Sequence, residues 1–106
     1  SQEYQPHMDT FDPDTKLGQS YLGKSGQRII TVLCYLNNVE KGGETVFPNI
    51  DKAITPETGK IAVFNDCYPG TDTPHPGSLH GASPVLSGEK WAINLWYRIR
   101  KVDEEH

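Results

Sequence analysis

The 106-residue sequence has little cysteine and no long hydrophobic run, and each shortage excludes a class of protein. Its two cysteines, Cys34 and Cys67, form neither a closely spaced zinc-binding pair nor the dense framework of a disulfide-rich secreted domain. The longest apolar stretches, at about residues 29–36 and 61–64, fall far short of the roughly 20 residues that a membrane helix needs. The sequence therefore predicts no membrane span, and it leaves the redox compartment open.

Positive charge is also scarce. Lys and Arg together number 10 against 14 Asp and Glu, so the formal net charge is −4, and the densest basic stretch is Arg98-Ile99-Arg100-Lys101. Strong binding to the phosphate backbone depends on clustered Lys and Arg side chains, so we expect no nucleic-acid partner. The length is that of one small domain, and we predict that residues 1–106 form a single unit.

Short apolar runs separated by turn residues dominate the chain, which indicates an all-β fold with little helix. We predict strands at about residues 3–10, 28–37, 43–47, 60–66, 78–85 and 89–99. Two polar segments are predicted to be loops. Residues 11–27 are a candidate lid, and residues 67–77 hold three prolines that are incompatible with a central strand.

The strands predicted at residues 28–37 and 89–99 are largely apolar on both faces. A strand of this kind has to be covered on both sides. One side can close a β-core, whereas no helix is evident in the sequence to cover the other. We therefore expect that a segment upstream of residue 1 is missing here, or that a partner, including a second copy of the chain, supplies the cover.

The residues with the clearest chemical potential are two histidines, one aspartate and one lysine. His7 and Asp9 are two positions apart, so on a strand they project from one face. A His-x-Asp pair alone is common on polar surfaces, but a second histidine, His80, is followed ten positions later by Lys90. Two histidines and one carboxylate compose the facial triad of non-haem iron(II) oxygenases, which leaves metal positions open. A buried lysine needs an anionic partner, such as the carboxylate of a ligand.

Further motifs extend in order along nearly the whole chain. They are Tyr4-x-x-His7-x-Asp9, residues 28–37, Gly42-Gly43-Glu44-Thr45-Val46-Phe47-Pro48, residues 56–64, Ser78-Leu79-His80 and Gly88-x-Lys90-Trp91. In these motifs the chain resembles the catalytic domain of the prolyl 4-hydroxylase family of iron(II)- and 2-oxoglutarate-dependent dioxygenases. The resemblance implies a double-stranded β-helix, or jelly roll. It also leads us to expect that this chain lacks the N-terminal helices and strands that cover the outer face in the family.

The resemblance implies a role for each matched residue. His7, Asp9 and His80 would bind Fe(II), and Lys90 would bind the distal carboxylate of the co-substrate 2-oxoglutarate. Further lining of the co-substrate pocket would come from Tyr35, Tyr4, Thr45, Asn94 and Trp96. The implied reaction uses O2 and ascorbate, hydroxylates proline in a peptide in the manner of procollagen-proline 4-dioxygenase, and releases succinate and CO2. Arg28 and Arg98 are predicted to contact the peptide substrate.

Several alternatives remain open from the sequence alone. The same iron and co-substrate can act on another residue, a free amino acid or another small molecule, and a jelly roll can also serve as a non-catalytic binding module. A zinc hydrolase built on His7, Asp9 and His80 would need a general base beside the metal, for which Glu44 and Asp66 are candidates. The first residues show no signal peptide. We expect a cytoplasmic location if the protein is bacterial or viral, and the endoplasmic reticulum lumen if it is eukaryotic.

Overall fold

The computed structural model describes residues 5–99, and most of their regular structure is antiparallel strand. No helix in this described range is long and apolar enough to cross a membrane. The elements, in chain order, are α1 (Lys16–Ser25), β1 (Gln27–Tyr35), β2 (Lys41–Gly42), β3 (Thr45–Phe47), β4 (Lys52–Ile54), β5 (Ile61–Asn65), β6 (Gly81–Ala82), β7 (Val85–Ser87) and β8 (Ala92–Ile99), with 3-10 turns at Pro48–Ile50 and Pro76–Ser78.

The largest sheet has the strand order β5-β1-β8, and β1 pairs antiparallel with both of its neighbours. Because side chains alternate along a strand, β1 presents Thr31 and Tyr35 to the interior, where both are almost fully buried. Cys34 projects from the opposite face and is half-buried. The sheet thus confirms the two strands predicted at 28–37 and 89–99, and it places Tyr35 and Cys34 on opposite faces.

The outer face of this sheet is apolar and exposed. Val32 lies opposite Val63 on β5 and Leu95 on β8, while Cys34 lies opposite Ile61 and Ile93. The four neighbouring aliphatic side chains on β5 and β8 are all exposed. An apolar patch of this kind is typical of a contact surface. That another segment or a partner covers it stays a prediction.

Two smaller sheets, β2-β7 and β4-β3-β6, complete the β structure of the described residues. Strand β3 pairs with β6, so that Thr45 lies opposite Ala82. Gly42, the last residue of β2, and Gly43, which follows it, both adopt positive φ. A Cβ atom at Gly42 would lie 2.2 Å from the Pro84 carbonyl oxygen, so only glycine allows the chain to turn this closely.

Several predicted strand boundaries were wrong. Within the described part of residues 3–10, strand pairing is limited to an isolated bridge between His7 and His80, while residues 3 and 4 lie outside the described range. The predicted strand at 78–85 is divided between the 3-10 turn, β6 and β7. Pro84, which lacks a backbone N–H, lies between β6 and β7. Strands β2 and β4 were not predicted, because two or three residues are too few to show the alternation of apolar and polar side chains that indicates a strand.

The segment predicted as a loop at residues 11–27 contains helix α1, which is a correction. Its large apolar side chains are limited to Leu17, Tyr21 and Leu22, which is too few for a continuous apolar stripe, and its first turn is capped. The hydroxyl oxygen of Thr15 accepts a hydrogen bond from the Gly18 N–H at 2.9 Å, and Gly26, at φ 77°, ends the helix. Phe11 stacks on Tyr21 with ring centroids 5.0 Å apart, which attaches the helix to the preceding chain.

Two glycines of α1 provide a matched test of this packing. A methyl group at Gly18 would lie 1.9 Å from the Asp12 carbonyl oxygen, whereas one at Gly23 would meet no atom within 4 Å. We expect Gly18→Ala to lower the free energy of unfolding by about 1–3 kcal/mol. Gly23→Ala should raise it by up to about 1 kcal/mol, because alanine is the better helix former. Urea denaturation measures both values, and equal changes at the two positions would contradict the close approach of α1 to Asp12.

Candidate metal centre and adjoining cavity

Two histidines and one aspartate converge where the chain before α1 pairs with the chain before β6. The backbones of His7 and His80 exchange hydrogen bonds of 2.7 and 3.0 Å, and Asp9 follows two positions after His7. Asp9 Oδ1 lies 3.3 Å from His7 Nε2 and 3.6 Å from His80 Nε2. One possible ligand atom from each of the three residues lies within 4.8 Å of the others. This grouping is the predicted triad.

The surroundings of His80 determine which ring nitrogen is free. His80 Nδ1 lies 2.7 Å from the Ser78 carbonyl oxygen. A carbonyl oxygen only accepts, so Nδ1 carries the proton and Nε2 keeps its lone pair for a metal ion. Phe47 and Phe64 pack on the imidazole, with ring centroids at 5.5 and 5.0 Å. The ring is therefore held in one orientation before any metal binds.

The orientation of the Asp9 carboxylate is fixed through Oδ2, the oxygen that faces away from the two histidines. Asp9 Oδ2 accepts hydrogen bonds from Thr31 Oγ1 at 2.8 Å and from Trp96 Nε1 at 3.3 Å. Oδ1 is thereby directed toward the two histidines. The side chain of His7 is 61% exposed, in contrast to the buried Asp9 and His80, so the cluster opens on the His7 side.

A cavity of about 270 Å³ adjoins the cluster. Lys90 forms part of its wall and is half-buried, and no carboxylate of residues 5–99 forms an ion pair with it. Burial lowers the pKa of the Lys90 ammonium, although Glu44 acts in the opposite direction. The cavity therefore brings the two histidines of the predicted triad together with a partly desolvated cation. Its lining residues are His7, Leu33, Thr45, His80, Gly81, Ala82, Lys90, Ala92 and Asn94.

The other predicted pocket residues occupy different places. Thr45 and Asn94 line the cavity, and the Tyr35 hydroxyl lies 2.6 Å from Thr45 Oγ1. Tyr35 is buried, which raises its pKa, and the Lys90 Nζ atom lies 5.9 Å from its ring centroid. Trp96 lies beside Asp9, outside the set that lines the cavity. Tyr4 lies outside the described residues.

The two predicted substrate arginines meet around one aromatic ring. Their guanidinium carbons lie 4.6 Å (Arg28) and 5.2 Å (Arg98) from the Phe11 ring centroid, and that of Arg28 also lies 3.7 Å from the ring of Trp96. Burial, reinforced by Arg98, lowers the pKa of Arg28. Within the described range, Arg28 Nε is buried and makes no hydrogen bond. Trp96 thus connects this cationic group to Asp9.

The supporting residues Thr31 and Ser78 were not predicted as part of the site, and Asp66 was considered only as a general base for a zinc hydrolase. Thr31 is nevertheless the one polar residue in the apolar run at 29–34, and a polar side chain at an inward position signals a buried partner. Asp66 is fully buried, and Glu44 accepts a hydrogen bond from Ser83 Oγ at 2.7 Å. Neither acid lines the cavity. Neither Glu44 nor Asp66 is therefore placed in the cavity to act as the general base that a zinc hydrolase would require.

The donor set suits Fe(II). Two imidazole nitrogens and one carboxylate oxygen match the ligand types of non-haem iron sites, in which three protein ligands leave further metal positions open. The hydrogen bonds from His80 Nδ1 and to Asp9 Oδ2 match the outer contacts that orient metal ligands in proteins.

The sequence of residues 1–98 matches the family model described as the 2OG-Fe(II) oxygenase superfamily. A protein of Acanthamoeba polyphaga mimivirus, whose name places it among the prolyl 4-hydroxylases, is 44% identical over 101 residues, which are 95% of this chain and 42% of that protein. Prolyl 4-hydroxylase 2 of Arabidopsis thaliana is 33% identical over 97% of this chain and 40% of its own length. The chain thus spans about two-fifths of the length of these relatives.

A solved structure is similar as well. The viral collagen prolyl hydroxylase of Paramecium Bursaria Chlorella virus-1, in complex with 2OG, is 36% identical and superposes with a TM-score of 0.72 over 88% of this chain and 50% of that one. This likeness confirms the predicted jelly-roll fold. The sequence, the fold and the His-Asp-His cluster agree, and the chain belongs to the 2OG-Fe(II) oxygenase superfamily as a prolyl 4-hydroxylase-like member.

Proposed function

We propose that this chain carries the catalytic site of an Fe(II)- and 2-oxoglutarate-dependent dioxygenase that hydroxylates proline in a peptide and releases succinate and CO2. The observation that carries the proposal is the convergence of His7, Asp9 and His80 within 4.8 Å, beside a cavity that contains Lys90. The similarity to proteins named as prolyl 4-hydroxylases supports the choice of substrate.

In this proposal His80 binds the metal through Nε2, Asp9 through Oδ1, and His7 through Nε2. Fe(II) bound together with 2-oxoglutarate supplies the oxidising chemistry that uses O2 to convert a C–H bond into C–OH. These three residues would hold the metal and would leave further coordination positions for the co-substrate and O2. Ascorbate is proposed as the reductant that sustains turnover.

Lys90 would bind the distal carboxylate of 2-oxoglutarate. Burial disfavours its charged form in the free protein, and an incoming carboxylate would restore that form. The hydroxyls of Tyr35 and Thr45 are 2.6 Å apart, so one proton lies between them and the other stays available to donate to the same carboxylate. Asn94 adds an amide to the wall. Tyr4 and Trp96 remain proposed contributors to co-substrate binding.

The proposed substrate is an extended, proline-containing peptide. Such a peptide keeps its carbonyl groups free of internal hydrogen bonds, and they are available to a groove that reads the backbone. Arg28 and Arg98 are the proposed donors to these carbonyls. Arginine suits this task because its guanidinium group presents several N–H donors in a fixed plane.

The test is succinate release from 2-oxoglutarate under air with Fe(II) and ascorbate, with and without a proline-rich peptide. We expect the peptide to stimulate succinate release and one proline to gain the mass of one oxygen atom. Stimulation by a free amino acid or another residue type instead would keep the chemistry and overturn the proline substrate. Folded, iron-loaded protein that forms no succinate would overturn the dioxygenase proposal and favour a non-catalytic jelly roll.

A further inference from the structure

The hydroxyl group of Thr31 lies between two carboxyl groups. Thr31 Oγ1 is 2.8 Å from Asp9 Oδ2 on one side, and 2.8 and 2.7 Å from Asp66 Oδ1 and Oδ2 on the other. All three residues are buried, with Asp66 at 0% exposure. Among the described residues, the side-chain hydrogen bonds of Asp66 run to Thr31 alone. Asp66 thus reaches the triad through a single hydroxyl.

Counting protons determines the direction of these contacts. A threonine hydroxyl has one proton to donate and lone pairs to accept. Two ionised carboxylates cannot both be satisfied by that one proton, so one of the two carboxyl groups has to carry a proton of its own. Asp9 has to be ionised to bind a metal, and its Oδ2 also accepts from Trp96 Nε1. The additional proton therefore belongs on Asp66.

We propose that Asp66 is a positioning residue for the metal centre, donating as a carboxylic acid to Thr31 Oγ1 and so fixing the Thr31 hydroxyl as a donor to Asp9 Oδ2. This inference rests on the metal site of the proposed function. Its consequence is that Asp9 Oδ1 stays directed at His7 and His80 before the metal arrives. The ligand set then loses less conformational freedom on binding.

Two further observations support this role. Burial raises the pKa of Asp66 to about 6, and the neighbouring Asp9 acts in the same direction, whereas the Thr31 hydrogen bond opposes them, so the carboxylic acid form is populated at and below about pH 6. The backbone carbonyl of Asp66 accepts the His75 N–H at 2.9 Å, directly before the 3-10 turn Pro76–Ser78. The Ser78 carbonyl then accepts from His80 Nδ1. The same residue thus supports Asp9 through its side chain and the His80 loop through its backbone.

The experiment is a titration of the metal-free protein with Co(II) at about pH 6, where the protonated form of Asp66 is still populated, without 2-oxoglutarate or peptide, and the dissociation constant is the readout. Loss of an outer partner of a metal ligand typically weakens binding roughly 10- to 100-fold. We expect weakening in this range for Thr31→Val and for Asp66→Leu. Asp66→Asn should bind within about twofold of wild type, since its amide N–H can still donate to Thr31.

A double variant separates positioning from general structural damage. If Asp66 acts on Asp9 only through Thr31, Asp66→Leu should cause no further loss of Co(II) affinity in a Thr31→Val background. Asp72→Asn, on an exposed loop, is the matched control and should bind as wild type does. Circular dichroism checks that each variant is folded, and Thr31→Val, which keeps the side-chain shape, tests the relay if Asp66→Leu does not fold.

The outcomes are distinct. Wild-type protein that binds no Co(II) would overturn the metal site itself, and with it the proposed function. Wild-type binding that is unaltered in folded Thr31→Val would overturn only the positioning role. The same conclusion follows if folded Asp66→Asn binds as poorly as Asp66→Leu, or if the two changes are additive in the double variant.

Discussion

His80→Ala is expected to reduce peptide-dependent succinate formation to the level of the metal-free blank. His80 is the more buried of the two candidate histidine ligands, and its Nε2 is kept free by the hydrogen bond from Nδ1 to Ser78. An alanine leaves only one imidazole and one carboxylate, and it removes the ring against which Phe47 and Phe64 pack. The measurement is succinate release at saturating Fe(II), together with Co(II) affinity.

The matched control is another histidine of the same segment. His75 accepts a hydrogen bond from the Gly77 N–H at 2.9 Å and stacks on Tyr68, outside the cluster. Asparagine can accept the same hydrogen bond, so His75→Asn should keep wild-type metal affinity and turnover. Full activity in a folded His80→Ala protein would rule out the triad assignment. A loss of metal affinity in both variants would mean that the loop, and not the ligand, was responsible.

Lys90→Met is expected to raise the concentration of 2-oxoglutarate needed for half-maximal rate by at least about 30-fold. Removing one partner of a buried charge pair costs about 2–5 kcal/mol, and each 1.4 kcal/mol is a factor of ten. The aliphatic stem of Lys90 packs against Gly43, since its Cδ atom would lie only 3.4 Å from a Cβ atom built there. Methionine keeps much of the volume of this stem, so the substitution should not leave a large gap in the wall. The measurement is the initial rate of succinate release as a function of 2-oxoglutarate concentration.

Co(II) affinity without co-substrate should be unchanged in Lys90→Met, since Lys90 is not one of the three clustered ligands. Lys52→Met, on the exposed surface of β4, tests whether the loss of any positive charge has the same effect. An unchanged 2-oxoglutarate requirement in Lys90→Met, or an equal rise in Lys52→Met, would refute the assigned carboxylate partner.

The candidate residues of the site could be picked out from the sequence because their residue types and spacings within short motifs indicate a chemistry. A His-x-Asp spacing places both side chains on one face wherever the local backbone is extended, and this held for His7 and Asp9 even though only one bridge forms there. The alternation along β1 likewise separates Tyr35 from Cys34 without reference to any other strand. The motif order and the interval from His80 to Lys90 pointed to the family in which the comparisons place the chain.

Other features depended on contacts between residues that are distant in sequence. Helix α1 forms in a segment with few large apolar side chains, where the stack of Phe11 on Tyr21 adds to the local Thr15 cap. Nothing near Trp96 in sequence indicates that its indole N–H reaches Asp9, 87 positions away.

The grouping of Asp9, Thr31 and Asp66 is the clearest example of contacts that the sequence alone did not predict. Residue types, strand periodicity and the order of the motifs were sufficient to predict the all-β architecture and the candidate residues His7, Asp9, His80 and Lys90, because side-chain chemistry and side-chain alternation can be read directly from the sequence. The partners that orient those ligands come from separate parts of the chain, with Thr31 22 positions from Asp9 and 35 from Asp66. Only folding brings them within hydrogen-bond distance, where burial makes each unsatisfied polar group costly and so dictates which groups must pair.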